Sequence, residues 1–64
     1  ILAEPLRKLA PLFSQLVKPG GVIVLSGLLT DQAESLLTLY RKWFDMELPV
    51  IESEWVRLTG SRYQ

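Results

Sequence analysis

Four consecutive apolar residues, three of them β-branched, Val22-Ile23-Val24-Leu25, lie between Gly20-Gly21 and Ser26-Gly27. A strand with one wet face alternates apolar and polar residues. A continuous run asks for burial on both faces, as in an interior strand of a covered sheet. Such a strand needs a hydrogen-bonding neighbour along each edge and a packed layer on each side. The chain has 64 residues, room for one small domain at most, and a domain of that size buries only about 60% of the surface of its unfolded form. The run therefore demands an α/β layering and raises the question of where its neighbours come from.

The flanking segments supply some of them. Glu4-Pro5 suits a helix start, because a proline at the first helical position loses no hydrogen bond. Leu6, Leu9, Ala10, Phe13, Leu16 and Val17 then fall on one helical face. Pro11 interrupts that pattern, which predicts a short first turn, a kink near Ala10 and a second start at Pro11. Lys18 is placed to meet the helix dipole in the last turn, and Pro19-Gly20-Gly21 ends the helix. After Ser26-Gly27 closes the strand, Thr30 or Asp31 can cap a second helix, with Asp31 and Glu34 at capping-box spacing. Ala33, Leu36, Leu37, Tyr40, Trp43 and Phe44 recur at helical intervals over about four turns. Met46 to Glu52 reads as a strand, and Pro49 within it assigns that strand to a sheet edge. Ser53-Glu54 turns the chain, Trp55 to Thr59 alternates as the return strand of a hairpin, and Gly60 to Gln64 reads as a polar tail.

The predicted order is helix, buried strand, helix, antiparallel hairpin: two helices and three strands. The hairpin can flank Val22–Leu25 on one side, and nothing in the sequence supplies the other. The chain opens on Ile1-Leu2-Ala3 without an initiator Met, where an α/β fold would hold the end of a preceding parallel strand. The expectation is half of an open, doubly wound sheet whose amino-terminal strands precede Ile1.

Composition narrows the chemistry. There is no Cys and no His, which removes thiolate metal sites, the commonest neutral metal ligand and the commonest general base. Lack of Cys fits a reducing compartment. Seven Lys+Arg balance seven Asp+Glu, without the basic cluster that nucleic-acid binding draws on. No apolar run approaches the roughly 18 residues of a membrane span. With 48% hydrophobic residues, the surplus apolar surface points to protein contacts. One reading is a stand-alone interaction module that completes its sheet by self-association through the exposed edge beside Val22–Leu25.

Several stretches support another reading. Leu16-Val17-Lys18-Pro19-Gly20-Gly21 followed by Val22-Ile23-Val24-Leu25-Ser26 resembles the late helix, PGG turn and strand of class I S-adenosylmethionine-dependent methyltransferases. Ile1-Leu2-Ala3-Glu4-Pro5-Leu6, Ser26-Gly27-Leu28-Leu29, Gln32-Ala33-Glu34 and Glu54-Trp55-Val56-Arg57-Leu58-Thr59-Gly60 sharpen this. In that order they are similar to the carboxy-terminal end of the bacterial family that methylates large-subunit ribosomal protein eleven. The resemblance runs over essentially the whole chain and is weakest from Leu39 to Ile51. It implies a Rossmann-like, seven-stranded catalytic sheet whose last strands form a hairpin with an antiparallel strand inserted. It also implies S-adenosylmethionine as methyl donor, a ribosomal protein as substrate and a cytoplasmic location. Residues 1–64 would then be the carboxy-terminal portion of one catalytic domain. The glycine-rich cofactor loop, the acidic ribose-binding residue and the recognition domain are not in this sequence. The family's active-site Asn would directly precede Ile1, and Glu4 receives no catalytic role.

Ligands of open α/β sheets bind beyond the carboxyl ends of the strands. Ile1, Leu2 and Ala3, with Ser26 and Gly27, would there wall the cofactor and substrate cleft. The competing account makes them ordinary strand-to-helix connections with buried apolar residues. Pro19-Gly20-Gly21 is no phosphate loop, because it follows a helix and opens a strand. Trp43 belongs to the core stripe, whereas Trp55 is open to either account. Glu52 and Glu54 read as solvated turn charges, and neither catalytic residues nor a metal site is assigned.

Overall fold

The computed structural model describes residues 3–64. In chain order the elements are α1 (Ala3–Leu16), β1 (Val22–Leu29), α2 (Thr30–Tyr40), β2 (Phe44–Met46), β3 (Val50–Glu52) and β4 (Trp55–Arg62). β4 is the centre of the sheet. It pairs antiparallel with β1 along one edge and with β2 and β3 along the other. β1 therefore runs parallel to β2 and β3, with an antiparallel strand inserted between them. This is the α/β layout of helix, strand, helix and hairpin.

The predicted edge strand is present but divided, so there are four strands where three are expected. Glu47 N–H still donates to Thr59 O at 2.8 Å. Ladder pairing then lapses through Leu48 and Pro49, the residue that has no N–H to give, and resumes at Val50. The two-residue turn Ser53-Glu54 follows, with Ser53 at φ 61°.

Gly60 to Arg62 is not a tail. These residues continue β4, with Gly60 buried between Ile23 of β1 and Met46 of β2. Hydrophobic pattern marks a strand by its side chains, and a glycine at the point of closest packing carries no such mark.

α1 is one continuous helix that contains Pro11, so no second helix starts at Pro11. Its apolar residues divide between two faces. Ala3 and Ala10 are buried with Ser14, and Leu6 and Phe13, with Val17 just past the helix end, pack partly against the core. Leu9, Leu12 and Leu16 face outward. Lys18 lies beyond the helix end and is exposed. The cation that meets the end of α1 is Arg62, whose Nε donates to Ser14 O at 2.7 Å. The same guanidinium reaches Trp43 O at 3.3 Å.

α2 begins at Thr30 directly after β1, so neither Thr30 nor Asp31 caps it. Leu29 occupies the cap position, and its N–H is satisfied by Gln32 Oε1 at 3.1 Å. The helix ends at Tyr40, three turns long. Trp43 falls in the following turn, and Phe44 enters β2 fully buried.

Both helices lie over one face of the sheet. Leu25, Leu28, Val56, Leu58 and Phe44 point into this core and meet Leu36, Leu37 and Tyr40 of α2. Tyr40 Oη donates to Leu6 O at 2.7 Å and ties the helices together. On the opposite face Val22 is 63% and Val24 56% exposed. The continuous apolar run is therefore covered on one side only by the described residues. Among the described helices, none is long and apolar enough to cross a membrane.

Candidate functional site

The end of the sheet expected to face a ligand is the carboxyl end of β1. Of the five residues expected there, Ile1 and Leu2 lie outside the described residues. Ala3 opens α1 and is buried, in the same cluster as Leu25 and Leu28. The amino end of α1 and the last turn of β1 thus share one core.

Ser26 and Gly27 do not form a strand-to-helix loop. They are a β-bulge inside β1. Leu25 pairs with Leu58 and Leu28 with Val56, so two residues of β1 face one of β4. Gly27 has φ 79°, a left-handed conformation that suits glycine. The bulge lets the strand bend and still return Leu28 to the buried face, where it is fully covered. Ser26 is exposed, and it carries the one polar side chain among the described candidates.

These residues can form a wall but cannot by themselves grip a charged nucleoside-type cofactor. Ala3, Ser26 and Gly27 offer one hydroxyl and no carboxylate. Among the described residues no cluster of metal-binding side chains occurs. The Pro19-Gly20-Gly21 turn is committed elsewhere: Gly20 N–H donates to Arg62 O at 2.9 Å and Gly21 N–H to Lys18 O at 2.8 Å. The Gly20 amide ties the turn before β1 to the end of β4, the Gly21 amide closes the turn itself, and neither is left to cradle a phosphate.

The other singled-out residues also find places. Trp43 packs partly against the core, with Lys42 Nζ 6.0 Å from its ring centroid. Trp55 is 44% exposed opposite Leu29, beside the carboxyl end of β1. Glu52 ends β3 and Glu54 lies in the turn, both exposed, and Glu52 lies 4.0 Å from Arg57.

A feature not drawn from the sequence is a groove of about 260 Å³ between α2 and β3, lined mainly by apolar side chains. Its only signal in the sequence is Pro49, which marks the sheet edge where the groove opens.

The comparisons with known proteins agree with one another. A model of the family described as ribosomal protein L11 methyltransferase (PrmA) matches residues 1–63. Curated relatives with the name ribosomal protein L11 methyltransferase include one from Shewanella halifaxensis, 56% identical over 62 residues. Those from Shewanella pealeana and Shewanella woodyi are 55% and 56% identical over the same length. In each case the match takes in 97% of this chain and 21% of the relative, so the chain spans about a fifth of the length of these proteins.

Proposed function

The chain belongs to the ribosomal protein L11 methyltransferase family, and on that premise we propose that it is the carboxy-terminal portion of a catalytic domain. The intact parent would transfer methyl groups from S-adenosylmethionine to amino groups of its ribosomal protein substrate, in the cytoplasm. The observation that carries this reading is the family match over residues 1–63. The inserted antiparallel strand β4 and the unpaired outer edge of β1 among the described residues support it, since an open sheet of this kind continues on that side.

In this reading Ile1, Leu2 and Ala3, together with the bulge at Ser26-Gly27, wall the cleft. Methyl transfer to an amine is mainly a positioning task, with the nitrogen held in line with the methyl–sulfur bond. When bound, the cofactor supplies the activated methyl group. The residues of this chain shape one side of the cleft and exclude water there. The groups that hold the cofactor belong to other parts of the parent.

The 64-residue chain alone should therefore be inactive and should not bind S-adenosylmethionine. Titration calorimetry of the isolated chain checks this: no heat beyond dilution is expected, and micromolar binding would overturn it. The bare edge of β1, next to exposed Val22 and Val24, also favours self-association of the isolated chain. Light scattering during size exclusion should show dimers that dissociate when Val24 is replaced by Lys.

A further inference from the structure

The groove between α2 and β3 has a definite chemistry. Ala33 and Leu37 form one wall, Pro49 and Ile51 the other, and buried Val56 closes the bottom. Glu34 stands on the wall formed by α2. Its carboxylate is exposed and makes no ion pair among the described residues. Ile51, although part of the lining, remains 64% exposed, and Leu48 in the preceding connector is 85% exposed. An apolar trough with one unneutralised carboxylate matches a side chain with a long aliphatic stem and a cationic head. The groove lies on the margin formed by β3, opposite the free edge of β1. Completing the sheet beyond β1 therefore leaves it open.

Its position gives it a role. Val56 pairs with Leu28 on one side and with Ile51 on the other. The groove thus lies level with Leu28, the residue that follows the bulge. Two strand spacings separate them, about 10 Å through the core, so a peptide passing over the exposed rim at Trp55 needs more than three extended residues to join them.

We propose that this groove is a docking site for a basic side chain of the protein substrate. A lysine stem would lie between Leu37 and Ile51, with its ammonium at Glu34, several residues from the amine presented at the carboxyl end of β1. The proposal rests on the methyltransferase reading for the meaning of that distance, but the groove's preference for a basic peptide does not depend on it.

The test uses the full-length protein carrying this segment, with methyl resonances of Ala33, Leu37, Ile51 and Val56 followed by NMR. The probe is the acetylated, amidated peptide Ala-Lys-Leu-Lys-Ala, compared with the same peptide carrying norleucine for lysine. Shifts confined to the groove are expected with the lysine peptide, with binding about fivefold weaker in Glu34→Lys and intermediate in Glu34→Gln. Glu47→Lys, the same charge change outside the groove, should bind as the parent does. Absence of groove shifts, equal binding of the norleucine peptide, or insensitivity to Glu34→Lys would each overturn the proposal. Groove binding in a protein that fails to methylate its ribosomal target would remove the methyltransferase reading and leave the groove a basic-peptide site.

Discussion

Replacing Gly60 by Ala should destabilise the protein, although alanine is normally the better residue in ordered structure. The backbone at Gly60 does not need positive φ, so conformation alone favours Ala by about 0.4–1 kcal/mol through the unfolded chain. Packing opposes this. A Cβ built on Gly60 collides with Met46 Sδ and lies 3.2 Å from Phe44 Cβ and 3.3 Å from Asp45 O. Met46 is a flexible side chain and can swing aside. Phe44 is fully buried, and neither its Cβ nor the Asp45 carbonyl can move without shifting β2. Overpacking of this kind costs about 1–3 kcal/mol, so the net loss should be about 1–2 kcal/mol. Equilibrium urea denaturation measures it, as a lower midpoint at unchanged slope. In a Met46→Ala background the same substitution should cost less, and the remainder reports the contacts with Phe44 and Asp45. A Gly60→Ala protein as stable as the parent would refute the argument that close approach of β2 and β4 requires glycine here.

Arg62→Met keeps the aliphatic stem but removes donors to Ser14 O, Trp43 O and Tyr63 O. Hydrogen bonds to a charged group contribute about 1.5–3 kcal/mol, so a loss of about 2 kcal/mol is expected, with faster hydrogen exchange at the end of α1. Burial raises the Tyr40 hydroxyl above its ordinary pKa of 10.0. The native state then holds this proton more tightly than the unfolded chain, so stability is full below pH 10 and falls as pH rises further. Tyr40→Phe should lose the bond to Leu6 O, about 1 kcal/mol, and should flatten that alkaline slope in denaturation series at pH 9–11. Ser53→Gly relieves the positive φ in the β3–β4 turn and should raise stability by about 0.5–1 kcal/mol in thermal melts; a decrease would show that the Ser53 side chain holds the turn.

Much of the element order was legible because it depends on short-range chemistry. The PGG turn, the apolar run after it and the periodicity of α2 each name a structure within a few residues. Pro49 placed its strand at the edge for a local reason, its missing N–H. The errors have an equally physical source. Pro11 suggests a break and a second helix start by its own chemistry, but the helix continues through it to Leu16. Ser26-Gly27 looks like the end of a strand, and only pairing of Leu28 and Leu29 with β4 turns it into a bulge. Of the candidate site, the segments could be named from the sequence and its resemblance. The groove beside them could not, because its walls come from residues near 35 and near 50.

By itself, the sequence determined that this chain makes an α/β layer with a strand at residues 22–25, an edge strand at Pro49 and a turn at Ser53-Glu54, and its residues identified the family. Hydrophobic period, backbone donors and φ preference act locally, so they can be read in order along the chain. Tertiary structure alone decided that Gly60 is a packing residue, that Arg62 caps a helix 48 positions away, and that Glu34 stands beside an apolar trough. Each of these depends on which strands lie side by side, and that is settled by long-range burial rather than by neighbours in sequence.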